Sequence, residues 1–346
     1  MLPHVTGLRM EGRTTSSSSS SSSPGAMSAG KHAWEFFVDK MKSKDAADIK
    51  SKIKSLLTSL YDSSIVDDVA ARMIRTFLES RSAIDPDHCL WKGVDDDALR
   101  QAREGLEKFI MIKMYPKLFQ STPSARKRDA ALFDRMTRLS WVCHTHLDIP
   151  EQYAACAGLQ AARHELQNMN SFKPPRDKMV CILNCMQIIN NAIASCQSRP
   201  LGAPPSADDF LPLLILVILQ ARPWYPFLNM QYISTFSHPD EMVGANGYMF
   251  THFSSALTFI ENMTASALHN CNQEEFDRRI NGEYEDDDDI QYRFVDAVAD
   301  DLRLSDIPDL LREYKAMAKV LRGCHRRPGE ASPAISRATS NMDTFW

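Results

Sequence analysis

No C-x-x-C pair occurs among the eight cysteines of this 346-residue chain, and no apolar leader with a basic start is evident. That usage excludes a disulfide framework from the reading and fits reduced thiols of the cytosol. The longest apolar run, residues 210–219, is ten residues, about half of a bilayer span. It predicts a buried core helix and no transmembrane segment. Basic charge is not concentrated: 40 Lys and Arg stand against 44 Asp and Glu, for a net charge of -4. Nucleic-acid binders carry a dense basic surface, so no nucleic-acid partner is expected. Period-two alternation never persists beyond a few residues, which leaves little room for sheet. A solenoid is excluded too, because no segment recurs at 20 to 50 residues.

What is present is helical. A composition of 44% hydrophobic and 24% charged residues suits a globular chain with one or two cores. Residues 1–30 carry the unbroken serine run 16–23 and then Pro-Gly, too little apolar surface to offset the entropy of ordering, so disorder is expected. Arg9 and Arg13 lie among serines without an amphipathic stripe, so no transit peptide is expected. From Ala33 apolar residues recur at three- and four-residue steps: Trp34, Phe37, Val38 and Met41, then Ile49, Ile53, Leu57 and Leu60. Two further stripes, starting at Val66 and Leu106, complete a helical bundle over residues 31–123. A second helical set fills 127–270, interrupted by the Pro/Gly-rich loop SRPLGAPPS that ends at Ser206. An acidic run at 283–289 and an amphipathic stretch from Ile307 to Leu321 occupy 271–325, and 326–346 is expected to be disordered.

Two segments carry chemistry. In SADDFLPLLILVILQ, Ser206 and Asp209 have capping-box spacing. Asp208 has no such duty, and Pro212 withholds the hydrogen bond that the carbonyl of Asp208 ordinarily accepts. Local rules broken beside a free carboxylate mark a candidate site. Asp208, Pro212 and Ile215 lie one turn apart and share a face. The plainer explanation is a first-turn acid complementing the helix dipole. In GANGYMFTHFSSALTFIENM, Tyr248, Thr251 and Ser255 share one face, whereas Phe250, Phe253, Leu257 and Ile260 form a core face. Tyrosine on a polar edge is a typical interface anchor, or else a half-buried ring with a satisfied hydroxyl.

The strings ADDFLPLLI, QYISTF and GYMFTHFSSALTFIE, with ELQNMN and FKPPRDKMVCILNC upstream, resemble the vacuolar-protein-sorting-nine domain. That domain is the catalytic module of exchange factors for Rab-five GTPases, and these strings are similar to its plant members. The resemblance covers about 127–270, and the preceding helices resemble the bundle that scaffolds the domain in Rabex-type proteins. It implies an all-α exchange factor that releases GDP from a Rab-five-type GTPase in endosomal and vacuolar trafficking. It implies no bond chemistry, no cofactor and no metal. The location implied is cytoplasmic, with recruitment to early endosomes through partners. By the same resemblance Asp208 is the acidic finger entering the nucleotide site. Pro212, Tyr248 and Thr251 sit where the family contacts the GTPase switches, with Ile215 and Ser255 on the same two faces.

Two departures stand out. Residues 221–226 read ARPWYP, bulkier than the family loop, which points to altered Rab preference, and Met249 replaces a common aromatic. Other readings remain. Cys143, His144 and His146 cluster in CHTH without a second ligand pair at zinc spacing. Cys181 and Cys185 share an apolar helix face and are expected to be buried structural thiols. A helical adaptor that binds a GTPase without expelling nucleotide is the alternative to exchange.

Overall fold

Residues 25–62, 64–119, 122–196 and 207–281, together with 307, 310, 311 and 314, are described by a computed structural model of the chain. Among the described residues all regular structure is helical. The helices are α1 (Gly25–Met41), α2 (Ala47–Leu60), α3 (Asp67–Glu79) and α4 (Asp96–Leu118), followed by α5 (Pro123–Arg138), α6 (Glu151–Ala154), α7 (Gly158–Asn168) and α8 (Pro175–Cys196). Then come α9 (Ala207–Ala221), α10 (Pro226–Phe236), α11 (Gly244–Asn262) and α12 (Gln273–Asn281).

Caps and breaks explain the boundaries. Asp95 accepts the backbone N–H of Ala98 at 2.7 Å to start α4, with Asp96 and Asp97 in the first turn complementing the helix dipole. Thr122 caps α5, and Pro123 takes the first helical position, where its missing N–H costs nothing. Helix α1 starts at Gly25, earlier than the apolar pattern from Ala33 suggests, and within the segment expected to be disordered.

Two cores result. One lies among α1 to α4 around Phe37, Trp91, Ile110 and Met111, and Trp91 Nε1 donates to the Ala83 carbonyl at 3.0 Å. Here α1 crosses α4 at Gly105, where a Cβ would lie 2.5 Å from the Ala33 carbonyl oxygen, so only glycine permits the approach. Val66, expected to begin the stripe of α3, is exposed instead, and Ala70, Ala71 and Ile74 make the buried face. The other core centres on α8 and α9, with every residue from Leu213 to Leu219 buried. Helix α10 belongs to both, since Leu228, Tyr232 and Phe236 face the first core and Ile233 the second. Packing continues past residue 270, because Phe276 of α12 enters the second core.

Helix α8 is long and apolar enough to cross a membrane by length and composition. The contiguous apolar run missed it, because polar residues interrupt the helix. Its most apolar window is 61% buried inside the protein, which is the environment of a core helix. Cys181 and Cys185 are fully buried on it. Burial pushes the Cys181 thiol up to about 12 and the Cys185 thiol further still, so both stay protonated and inert.

Candidate functional site

Helix α9 is apolar on every side because α7, α8 and α11 pack around it. Toward its start the cover thins, since Asp209, Leu211 and Pro212 are half-buried, and at its far end Gln220 is exposed. Asp208 lies in the first turn, although its side chain, like Ser206 and the loop 197–206, falls outside the described residues. Asp209 is half-buried and Phe210 is 5% exposed. Pro212 is half-buried inside the helix.

Ile215 corrects the expected face: at 3% exposure it belongs to the core. Helical spacing put it in line with Asp208 and Pro212, but the surrounding helices close over α9 one turn below Pro212.

Helix α11 presents the neighbouring surface. Tyr248 is 60% exposed, and Thr251 and Ser255 are exposed on the same side, while Phe250, Phe253, Leu257 and Ile260 are buried. The Thr251 hydroxyl donates to the Gly247 carbonyl at 2.8 Å. Met249 is partly buried against the second core, filling the place of an aromatic with a flexible thioether.

The two segments meet through His252. Its ring takes an edge contact from Phe210 at 5.7 Å and one from Tyr248 at 4.3 Å between centroids. The imidazole therefore ties the first turn of α9 to the exposed tyrosine. Sequence reasoning missed His252, and the only available signal was its place one helical turn beyond Tyr248.

Gly247 sets the start of α11. A Cβ there would meet the Met242 carbonyl oxygen at 2.0 Å, so the 3-10 turn Pro239–Met242 lies directly on the first helical turn. Gly247→Ala is expected to force that turn off α11, displace Tyr248 and destabilise the chain by about 1–3 kcal/mol. Thermal unfolding checks the second effect, and proteolysis near residue 243 checks the first.

A buried polar hub holds α8, α10 and the α9–α10 loop in register. Lys178 Nζ donates to Asn229 Oδ1 at 2.8 Å and to the Met169 carbonyl at 3.3 Å. It also faces the rings of Phe119 and Tyr115 at 4.8 and 5.3 Å. Burial lowers its pKa to about 7. Asn229 Nδ2 donates to Asn170 Oδ1 at 2.9 Å and to the Trp224 carbonyl at 3.0 Å. Asp129 Oδ1 accepts the backbone N–H groups of Phe227 and Leu228, capping α10. Burial raises this carboxyl to about 6 against the pull of those two bonds.

The bulky loop has an internal role. Trp224 stacks on Phe133 at 4.4 Å, and Tyr225, at φ 56°, packs edge-on against Phe119. CHTH is likewise engaged: Cys143 N–H donates to His146 Nδ1 at 3.1 Å, closing a cap on the short 3-10 helix His144–Leu147. Burial, then Arg279, lowers the His146 pKa, in keeping with an accepting Nδ1.

Residues 159–265, which contain α9, α10 and α11, match the family model described as "Vacuolar sorting protein 9 (VPS9) domain". Residues 50–115, in the bundle, match a "Domain of unknown function (DUF5601)". The chain is 32% identical over 249 residues to "Vacuolar protein sorting-associated protein 9A" of Oryza sativa subsp. japonica, covering 72% of this chain and 52% of that one. It is 32% identical over 245 residues to the protein of the same name in Arabidopsis thaliana, covering 70% and 47%. To "Rab5 GDP/GTP exchange factor" of Homo sapiens it is 35% identical over 195 residues, covering 55% and 39%. The aligned region thus spans about half the length of the plant relatives.

Proposed function

Because the chain belongs to the VPS9-domain family, we propose that it is a guanine-nucleotide exchange factor releasing GDP from Rab5-type small GTPases in endosomal and vacuolar trafficking. The observation that carries this reading is the pairing of α9 and α11 through His252, which sets exposed Tyr248 beside the turn bearing Asp208. Tyr248, Thr251 and Ser255 form the face that receives the GTPase switch regions, with Pro212 at its edge. Buried Ile215 supports that edge from beneath.

Asp208 acts as the acidic finger. A carboxylate brought to a nucleotide cradle pairs with the phosphate-binding lysine, repels the nucleotide β-phosphate and competes for the bound Mg²⁺ of the partner. The catalysis is linkage: the factor binds the empty GTPase better than the loaded one, and nucleotide affinity falls by the same factor. The protein works in the cytoplasm and reaches early endosomes through partners.

The test is release of fluorescent GDP from a panel of purified Rab GTPases, with acceleration expected for the Rab5 type. Stable binding without acceleration identifies an adaptor and rejects exchange. Tyr248→Ala is expected to weaken engagement of the GTPase about tenfold, a loss near 1.4 kcal/mol typical of an aromatic interface anchor. Unaltered affinity by titration rejects the proposed face.

A further inference from the structure

Arg176 stands in the first turn of α8 and joins three elements. Its Nη1 lies 3.2 Å from Glu104 Oε1 of α4, and its Nε lies 3.2 Å from Glu241 Oε1 in the 3-10 turn Pro239–Met242. Both carboxylates are mostly covered, with side-chain exposures of 28% and 27%. The same turn presses its Met242 carbonyl onto Gly247, one residue before Tyr248. We infer that Arg176 is a positioning residue: it clamps the N-terminal bundle to the turn that sets Tyr248, so that the bundle fixes the geometry of the GTPase-binding face. This rests on the function proposed above for that face.

The surroundings make the clamp electrostatic. Glu104 and Glu107 of α4 and Glu241 of the turn converge on Arg176, and Asp177 of α8 adds its charge beside Glu107. Lys108 pairs with Asp177 at 2.7 Å. Burial, and then Glu241, raises the Glu107 carboxyl to about 7. Without Arg176 the acids lose their central cation, and Glu241 is driven away from α4. Among the described residues the segment has a further ionic tie, His238 to Glu79 of α3 at 3.4 Å, which depends on a protonated imidazole that Asp240 also faces at 3.5 Å.

Placement and folding affect exchange differently. A misplaced Tyr248 weakens engagement and raises KM, whereas a chain that is merely less folded lowers the apparent kcat at constant KM. Arg176→Met in the full chain is expected to raise KM for the GTPase about tenfold with kcat within about twofold, since a displacement near 1 Å is costly at a contact face. Glu241→Gln is expected to follow it, and Arg176→Lys to recover part of the loss. A fall in kcat at constant KM, or a lysine variant no better than methionine, overturns the clamp.

Amide hydrogen exchange supplies a readout that does not depend on exchange activity. Residues 239–250 are expected to exchange faster in Arg176→Met while α9 keeps its protection. Unchanged protection over 239–250 overturns the clamp even for a chain that releases nucleotide. If Tyr248→Ala raises KM and Arg176→Met does not, the clamp fails and the face stands. If neither does, both fall.

Discussion

Asp208→Ala is expected to reduce stimulated GDP release by at least ~100-fold, a loss of about 2.7 kcal/mol of transition-state stabilisation, with the chain still folded. The acid stands at the mouth of α9, where its contribution to the helix is a dipole term of about 0.3–1 kcal/mol. Pro212, one turn on, already deprives that turn of a backbone hydrogen bond. Substitution therefore costs little stability and removes the one charge proposed to compete with phosphate and Mg²⁺. Asp208→Asn keeps the shape without the charge and is expected to match the alanine variant. Release by both at the unsubstituted rate rejects the acidic finger. Retained GTPase binding by both, with release lost, separates the finger from the Tyr248 face.

Lys178→Ala is expected to destabilise the fold by about 3 kcal/mol, through a cavity and an orphaned Asn229 oxygen. Its ammonium is fully buried against two aromatic rings and two oxygen acceptors. The pKa shift adds a signature in pH. The folded amine titrates near 7 and the ordinary value is 10.5, so across that window the folded chain binds fewer protons than the unfolded one. Stability then rises with pH from about 7 to about 10.5, by up to roughly 1.4 kcal/mol per unit, and the burial penalty is fully present below 7. Lys178→Met is expected to flatten that rise. Denaturant melts of both proteins at pH 7, 8 and 9 measure the difference, and parallel curves reject a titrating Lys178. The Cys181 thiol, raised from 9.0 to about 12, lowers stability only as pH climbs above about 9, so melts at pH 7 to 9 read the lysine.

Helical periodicity made much of the architecture legible. The stripes through Phe37, Ile53 and Ile110 are the buried faces of α1, α2 and α4, and the run 210–219 is the interior helix it was expected to be. The exposure of Tyr248, Thr251 and Ser255 opposite a phenylalanine-rich face followed from spacing in the same way. Ile215 shows where spacing stops. It places residues on a side of a helix without saying whether another helix covers that side, and here three helices do. Lys178 shows the converse, since Lys178, Cys181, Ile182 and Cys185 lie on one stripe. A lysine on an apolar stripe was a readable sign of burial, but Asn229, its partner, stands 51 residues away.

By itself the sequence determined that this chain is helical, which side of each helix seeks the core, and where a carboxylate and an exposed tyrosine stand on two of them. Those properties come from residues a few positions apart, within reach of backbone geometry. Only the tertiary structure decided that His252 couples the two segments, that α10 serves both cores and that Arg176 joins bundle to turn. Each of these depends on side chains distant in the chain meeting within a few ångströms, a matter of packing, which local periodicity does not encode.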